Sequence, residues 1–166
     1  MREARACGRF EDAARSFQLT LDLNPKAGSA QAFLGLSHLL LGHVDEALAI
    51  AQVEPHDVFR NLALAMIHHD RGDRAASDAA LADLIGTYGW TAAYQIAEAH
   101  AYRGETDKAF EWLDRAYEQR DPGIVFLLRD YLLRSLHADP QWLALVRRVR
   151  LPELPAGAPQ STHASP

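Results

Sequence analysis

Cysteine is almost missing from this chain. Cys7 is the only one, so no internal disulfide can form. Lysine is nearly as scarce, with two among seventeen basic residues, and the formal net charge is −5. That balance offers no broad cationic surface to a nucleic-acid backbone, so nucleic acid is not an expected partner. No apolar run approaches the ~20 residues of a membrane-spanning helix, which excludes the membrane as an expected partner. The opening MREARACGRF lacks the apolar core of a secretory signal, which makes the cytoplasm the expected location. Motifs of chemistry are missing too: the chain has no GxSxG, P-loop, GxGxxG or HExxH. The expectation is therefore a non-enzyme with no cofactor and no metal.

What the sequence does contain is a recurrence. Gly8, Gly42, Gly72 and Gly104 lie 34, 30 and 32 residues apart and open similar phrases: GRFEDAARSF, GHVDEALAI, GDRAASDAAL and GETDKAFEWL. A period of 30–34 residues with helical patterning marks stacked supersecondary units. After Gly8, Phe10, Ala13, Ala14, Phe17 and Leu21 fall on one helical face, and Pro25 follows the stripe. Before the later glycines, Leu34 to Leu41, Leu62 to His68 and Tyr94 to Ala101 also carry helical patterns. Each unit reads as helix, glycine turn, helix.

The spacing predicts helices over 11–23, 29–41, 45–52, 57–71, 74–87, 90–103, 106–119 and 140–149. Shorter helical pieces are expected near 123–128 and 131–136. Asp139-Pro140 supplies an N-cap and a first-turn proline for the last helix. Residues 152–166, rich in Pro, Ala and Ser, predict a disordered tail, placed at 151–166.

These residues resemble the tetratricopeptide repeat family. The family places a turn glycine, an aromatic two residues on, an alanine five after the glycine and another aromatic four beyond that. Gly8, Phe10, Ala13, Phe17 and Pro25 fit it in the first repeat. Leu34, Gly35, Gly42 and Ala47 fit in the second, where Ala51 replaces the aromatic and the second helix is about four residues short. Leu64, Ala65 and Gly72 fit in the third, with Ser77 in place of alanine; Ile96, Ala97, Gly104, Ala109 and Ala116 fit in the fourth. The resemblance spans residues 1–120. It implies an all-α solenoid of stacked antiparallel helix pairs in a right-handed superhelix. Repeats would occupy 1–27, 28–56, 57–89 and 90–121, with capping helices at 122–150. It also implies a non-catalytic scaffold that binds a peptide or protein in its concave groove. Residues 97–123 and 132–149 are similar to C-terminal repeat regions of multidomain bacterial signalling proteins, and Tyr131 departs from that pattern. That likeness implies a second reading, a regulatory module of an adenylate-cyclase-like or transcriptional regulator.

In the family, the first helix of each pair lines the groove. That maps to Leu36 and Leu39, then Phe59, Leu62, Met66 and His69, then Tyr94, Glu98, Ala101 and Tyr102. A carboxylate-gripping clamp is disfavoured, because Leu36, Met66 and Glu98 stand where its asparagines would be. His38, His68 and His100 each stand four residues before a repeat glycine. Neighbouring helices pack ~8–10 Å apart, too far for equivalent residues of successive repeats to share one zinc, so packing histidines are expected. His68 and His69 point about 100° apart on a helix and do not face one site. Cys7 reads as a packed or terminal thiol, and Arg147, Arg148 and Arg150 as a solvated helix end that complements the helix dipole.

Only seven residues precede Gly8, about half a first helix. Phe10 and Phe17 would then face outward at an uncapped edge. A fragment of a longer protein, a homodimer through this N-terminal edge, or a frayed first helix would each account for that.

Overall fold

The computed structural model describes residues 2–150, with side chains from Arg9 onward. The expected tail at 151–166 and the thiol of Cys7 lie outside the described residues. Among the described residues every regular element is helical. Helix α1 spans Arg2–Leu23, α2 Ala30–Leu40, α3 Val44–Ala51, α4 Asp57–Asp70, α5 Arg74–Tyr88, α6 Ala93–Tyr102, α7 Thr106–Gln119 and α8 Pro140–Val149. Two 3-10 turns, Pro122–Phe126 and Arg134–Ala138, stand between α7 and α8.

Three hairpins form the body: α2 with α3, α4 with α5, and α6 with α7. Their first helices also touch in sequence, α2 to α4 to α6, so the pairs stack as an α-solenoid. The turns share one mechanism. Gly42, Gly72 and Gly104 have φ of 84°, 74° and 74°, a left-handed backbone that costs glycine little. The amide three residues past each helix, just after the glycine, then reaches back. His43 N–H donates to the His38 carbonyl, Asp73 to His68 and Glu105 to His100, each at 2.9 Å. These are Schellman closures, which satisfy carbonyls otherwise orphaned at a helix end.

The first glycine departs from the pattern. Helix α1 runs through Gly8 without a turn, so the expected hairpin turn there does not form. The outward-facing edge expected of Phe10 and Phe17 is not found either. The Phe17 ring stacks on Phe33 at 5.6 Å, and the Phe10 ring meets Tyr131 edge-on at 4.6 Å. Helix α1 therefore reaches from α2 to the C-terminal cap.

Small residues set the tightest approach. A Cβ on Gly35 would stand 3.1 Å from the Ala47 carbonyl, and Ala47 and Ala51 are wholly buried. Alanine at 51 therefore suits the closeness of α2 to α3. Helix α3 has 8 residues, against 15 in α5 and 14 in α7. The chain after it is held by Glu54, which is almost fully buried. Its carboxylate accepts from Ala32 N–H in the first turn of α2 (3.0 Å) and from His56 N–H at the start of α4 (2.9 Å). Ser29, ahead of α2, has no side-chain cap bond, so Glu54 supplies that function from a distance. Ser77, where alanine was expected, is buried and donates its hydroxyl to the Ala65 carbonyl (2.6 Å), tying α5 to α4.

The cap closes on α6 and α7. Asp121 accepts from the amides of Gly123 (2.8 Å) and Tyr94 (3.1 Å). Asp139 caps α8 through Gln141 N–H (2.8 Å), as Asp139-Pro140 predicts. Arg148 is not simply solvated: it pairs with Asp114 and lies over the Tyr117 ring at 4.8 Å, fastening α8 to α7.

Candidate functional site

The row of first helices carries a cavity of about 760 Å³ on its inner side. Helix α2 contributes Phe33, Leu36 and Leu40, α4 contributes Val58 and Phe59, and α6 contributes Tyr94, Gln95 and Glu98. The cap adds Phe126, Arg129, Asp130 and Tyr131, and α1 lays Phe10 and Phe17 along it. A continuous aromatic path runs from α1 inward, with Phe17 on Phe33 and Phe33 on Phe59, each at 5.6 Å. Offset and tilted rings at such distances are favourable beyond their buried area.

One end of the cavity is acidic. Glu98 is buried, and its Oε2 has no hydrogen-bond partner. Asp130 accepts from the Tyr94 hydroxyl (2.9 Å) and from Leu132 N–H (2.8 Å), and Asp121 is satisfied by its two amides. Unspent hydrogen-bonding capacity is therefore concentrated on Glu98. Burial pushes the Glu98 carboxyl well above the ordinary range, and the Asp130 charge, a hydrogen bond with Asp130 and the Asp121 charge push the same way. Burial also raises the Tyr94 hydroxyl, with Asp130 and Glu98 adding to the effect. Arg129 lines the cavity from an exposed position, so the deep end is acidic and the rim carries a cation.

The expected groove residues separate into three groups. Phe59, Tyr94 and Glu98 line the cavity, as does Leu36. Leu62 and Met66 do not face a groove: both are completely buried in the core between stacked pairs, so they have no surface for a partner. Leu39 and Ala101 are buried likewise. The lining stripe of α2 is instead Phe33, Leu36 and Leu40, at steps of three and four. His69 and Tyr102 meet at the far end of α4 and α6, with rings 6.3 Å apart, and the Tyr102 hydroxyl donates to Asp70 (2.9 Å). They do not join the cavity.

Phe126, Asp130 and Tyr131 were not legible as site residues. Their signal lay outside the repeat period, in a cap whose return toward α1 has no counterpart in the repeats. Phe33 had a signal, being one helical turn before Leu36 on the same face.

The histidines sort by their turns. His100 is buried, with Nδ1 against a Glu105 carboxylate oxygen, and burial lowers its pKa while Glu105 opposes the shift. His68 has a buried Nδ1 without a partner. His38 instead faces His43 and Glu46 across the Gly42 turn.

Among the described residues no helix is long and apolar enough to cross a membrane. No curated protein and no solved structure matches the chain. The family model described as Tetratricopeptide repeat matches residues 2–56, which hold α1, the Gly42 turn and the α2–α3 pair. Repeats of this family are generally protein-interaction modules and typically non-catalytic. That match supports a tetratricopeptide repeat over residues 2–56, and the Gly42 turn within it closes on a left-handed glycine as the two later turns do.

Proposed function

We propose that the protein binds a segment of a partner protein in the aromatic cavity, and that the segment carries apolar side chains and one basic residue. The observation that carries this reading is Glu98: a buried carboxyl with a free oxygen at the end of an apolar, ring-lined space. Leaving a buried polar atom unsatisfied costs about 1–3 kcal/mol. A Lys or Arg side chain reaching Glu98 would remove that cost and balance Asp121 and Asp130. The rings would take the apolar part, since aromatic anchors bury large areas with few rotors.

Helix α1 covers part of this space, and none of its described residues is fully buried. It is the element whose movement would admit the segment.

Peptide display on the full-length protein tests the reading. Enriched peptides should combine aromatic or aliphatic residues with Lys or Arg. Glu98→Gln should weaken them roughly tenfold or more, the value of a charge-assisted hydrogen bond. Phe126→Ala, at an exposed lining position, should weaken them without unfolding the chain. Enrichment of acidic peptides, or affinities unchanged in both variants, would refute the reading.

A further inference from the structure

His38, His43 and Glu46 bring three metal-ligating side chains to one turn, well apart from the cavity. Their donor atoms all lie within 4.8 Å of one another. His38 Nδ1 is 3.1 Å from Glu46 Oε2, and His43 Nδ1 is 3.6 Å from the same oxygen. Tetrahedral zinc with bonds near ~2.0–2.1 Å sets its ligand atoms about 3.3–3.4 Å apart. The two separations bracket that value. We propose that this turn is a binding site for a zinc-class divalent ion, held by His38 Nδ1, His43 Nδ1 and a Glu46 carboxylate oxygen, with water completing the shell.

The backbone builds the arrangement. Gly42, with φ of 84°, turns the chain so that His43 N–H bonds the His38 carbonyl at 2.9 Å, which brings the sixth residue back over the first. Glu46 lies one helical turn after His43, in the first turn of α3, and returns its carboxylate toward both rings. The ion would sit at the C-terminal end of α2, where the helix dipole favours positive charge, and Glu46 offsets the opposite field at the start of α3. Arg71, just past the end of α4, is engaged by Asp45.

The other two turns are internal comparisons with the same backbone. The positions of His38, His43 and Glu46 hold His68, Asp73 and Ala76 in the next turn, and His100, Glu105 and Lys108 in the last. The middle set lacks a third ligand. In the last set, Lys108 Nζ stands 3.6 Å from Glu105 and supplies a positive charge itself. Only the Gly42 turn combines three ligand side chains with no cation among them. Two imidazoles and a carboxylate suit zinc and its neighbours better than calcium or magnesium, which prefer all-oxygen shells.

The test is titration of the full-length chain with zinc chloride by calorimetry, and with cobalt chloride by visible absorption. One ion per chain should bind, with cobalt bands of a low-coordinate nitrogen–oxygen site. His43→Ala and Glu46→Gln, both at exposed positions, should each weaken binding by more than about tenfold. His69→Ala, which removes an exposed histidine elsewhere, should leave it unchanged. Circular dichroism of each variant confirms the fold. Absence of zinc binding by the wild type, or a folded His43→Ala that binds as tightly as the wild type, would overturn the proposal.

Discussion

Adding one methyl group at Gly123 should destabilise the protein through Tyr94 alone. Gly123 does not have a positive φ, so the backbone accepts alanine there. The difficulty is space. A Cβ would stand 2.6–2.7 Å from Tyr94 Cγ, Cβ and Cδ1, against about 3.5–4.0 Å for a comfortable carbon contact. The tyrosine cannot retreat. It is 2% exposed, its hydroxyl is bonded to Asp130, and its amide is bonded to Asp121. Overpacking a rigid site typically costs about 1–3 kcal/mol. For a chain of this size, about 2 kcal/mol corresponds to a Tm lower by roughly 4–8 °C. Urea denaturation followed by circular dichroism would measure the loss. Gly86→Ala is the control: it lies inside α5 and a Cβ there meets nothing within 4 Å. It should stabilise by about 0.5–1 kcal/mol through helix entropy. In a Tyr94→Ala background, Gly123→Ala should cost less, because the ring atoms Cγ and Cδ1 are gone and only the Cβ contact at 2.7 Å remains. Equal costs of Gly123→Ala with and without Tyr94 would refute the packing argument.

Glu98→Gln should change the pH profile of stability. The folded carboxyl keeps its proton above the ordinary 4.5, so wild-type stability is fully present below that pH and declines as pH rises toward the folded value. The variant should lose that decline, with its advantage over wild type in urea midpoints growing as pH rises from 4.5 toward the folded value. Glu54→Ala should cost about 2–4 kcal/mol, since two charge-assisted bonds to the starts of α2 and α4 vanish together; thermal denaturation would show it. His100 behaves oppositely to Glu98. Its folded pKa lies below 6.5, chiefly through burial, so its contribution is present above that pH and lost as acidity increases through the folded value. NMR titration of its ring should show a midpoint below that of an exposed histidine.

The repeat period made most of the body legible. Hairpins and their turns follow from local rules, left-handed glycine and 3.6-residue stripes, and these are written within thirty-odd residues of sequence. Gly8 shows where the period misleads. A glycine in phase with three turn glycines lies within a helix instead, because glycine permits a left-handed turn without imposing one. Leu62 and Met66 show a second limit. Period places them on the first helix of a pair, yet stacking against the next pair buries them. A stripe one residue around the helix decides between core and groove, and only packing fixes that rotation. The Gly42 histidines show a third. The period relates equivalent histidines along the array, where they are too far apart, whereas the cluster forms across a single turn from His38, His43 and Glu46.

Helix α1 completes the argument about access. Among its described side chains only one stripe, Phe10, Ala13, Ala14, Phe17 and Leu21, is even partly buried. Helix α4, by contrast, sinks Leu62, Met66 and Ile67 completely, each worth about 1.5–3 kcal/mol. Local opening follows the weakest contacts, so the described part of α1 should open more readily than α4, which hydrogen exchange would check. Its two anchors are aromatic rings set on Phe33 and Tyr131, the same surfaces a partner's apolar side chains would use. On the proposed function, a partner and α1 would compete for one set of rings. The affinity measured for such a partner would then be its intrinsic affinity multiplied by the fraction of chains with α1 displaced.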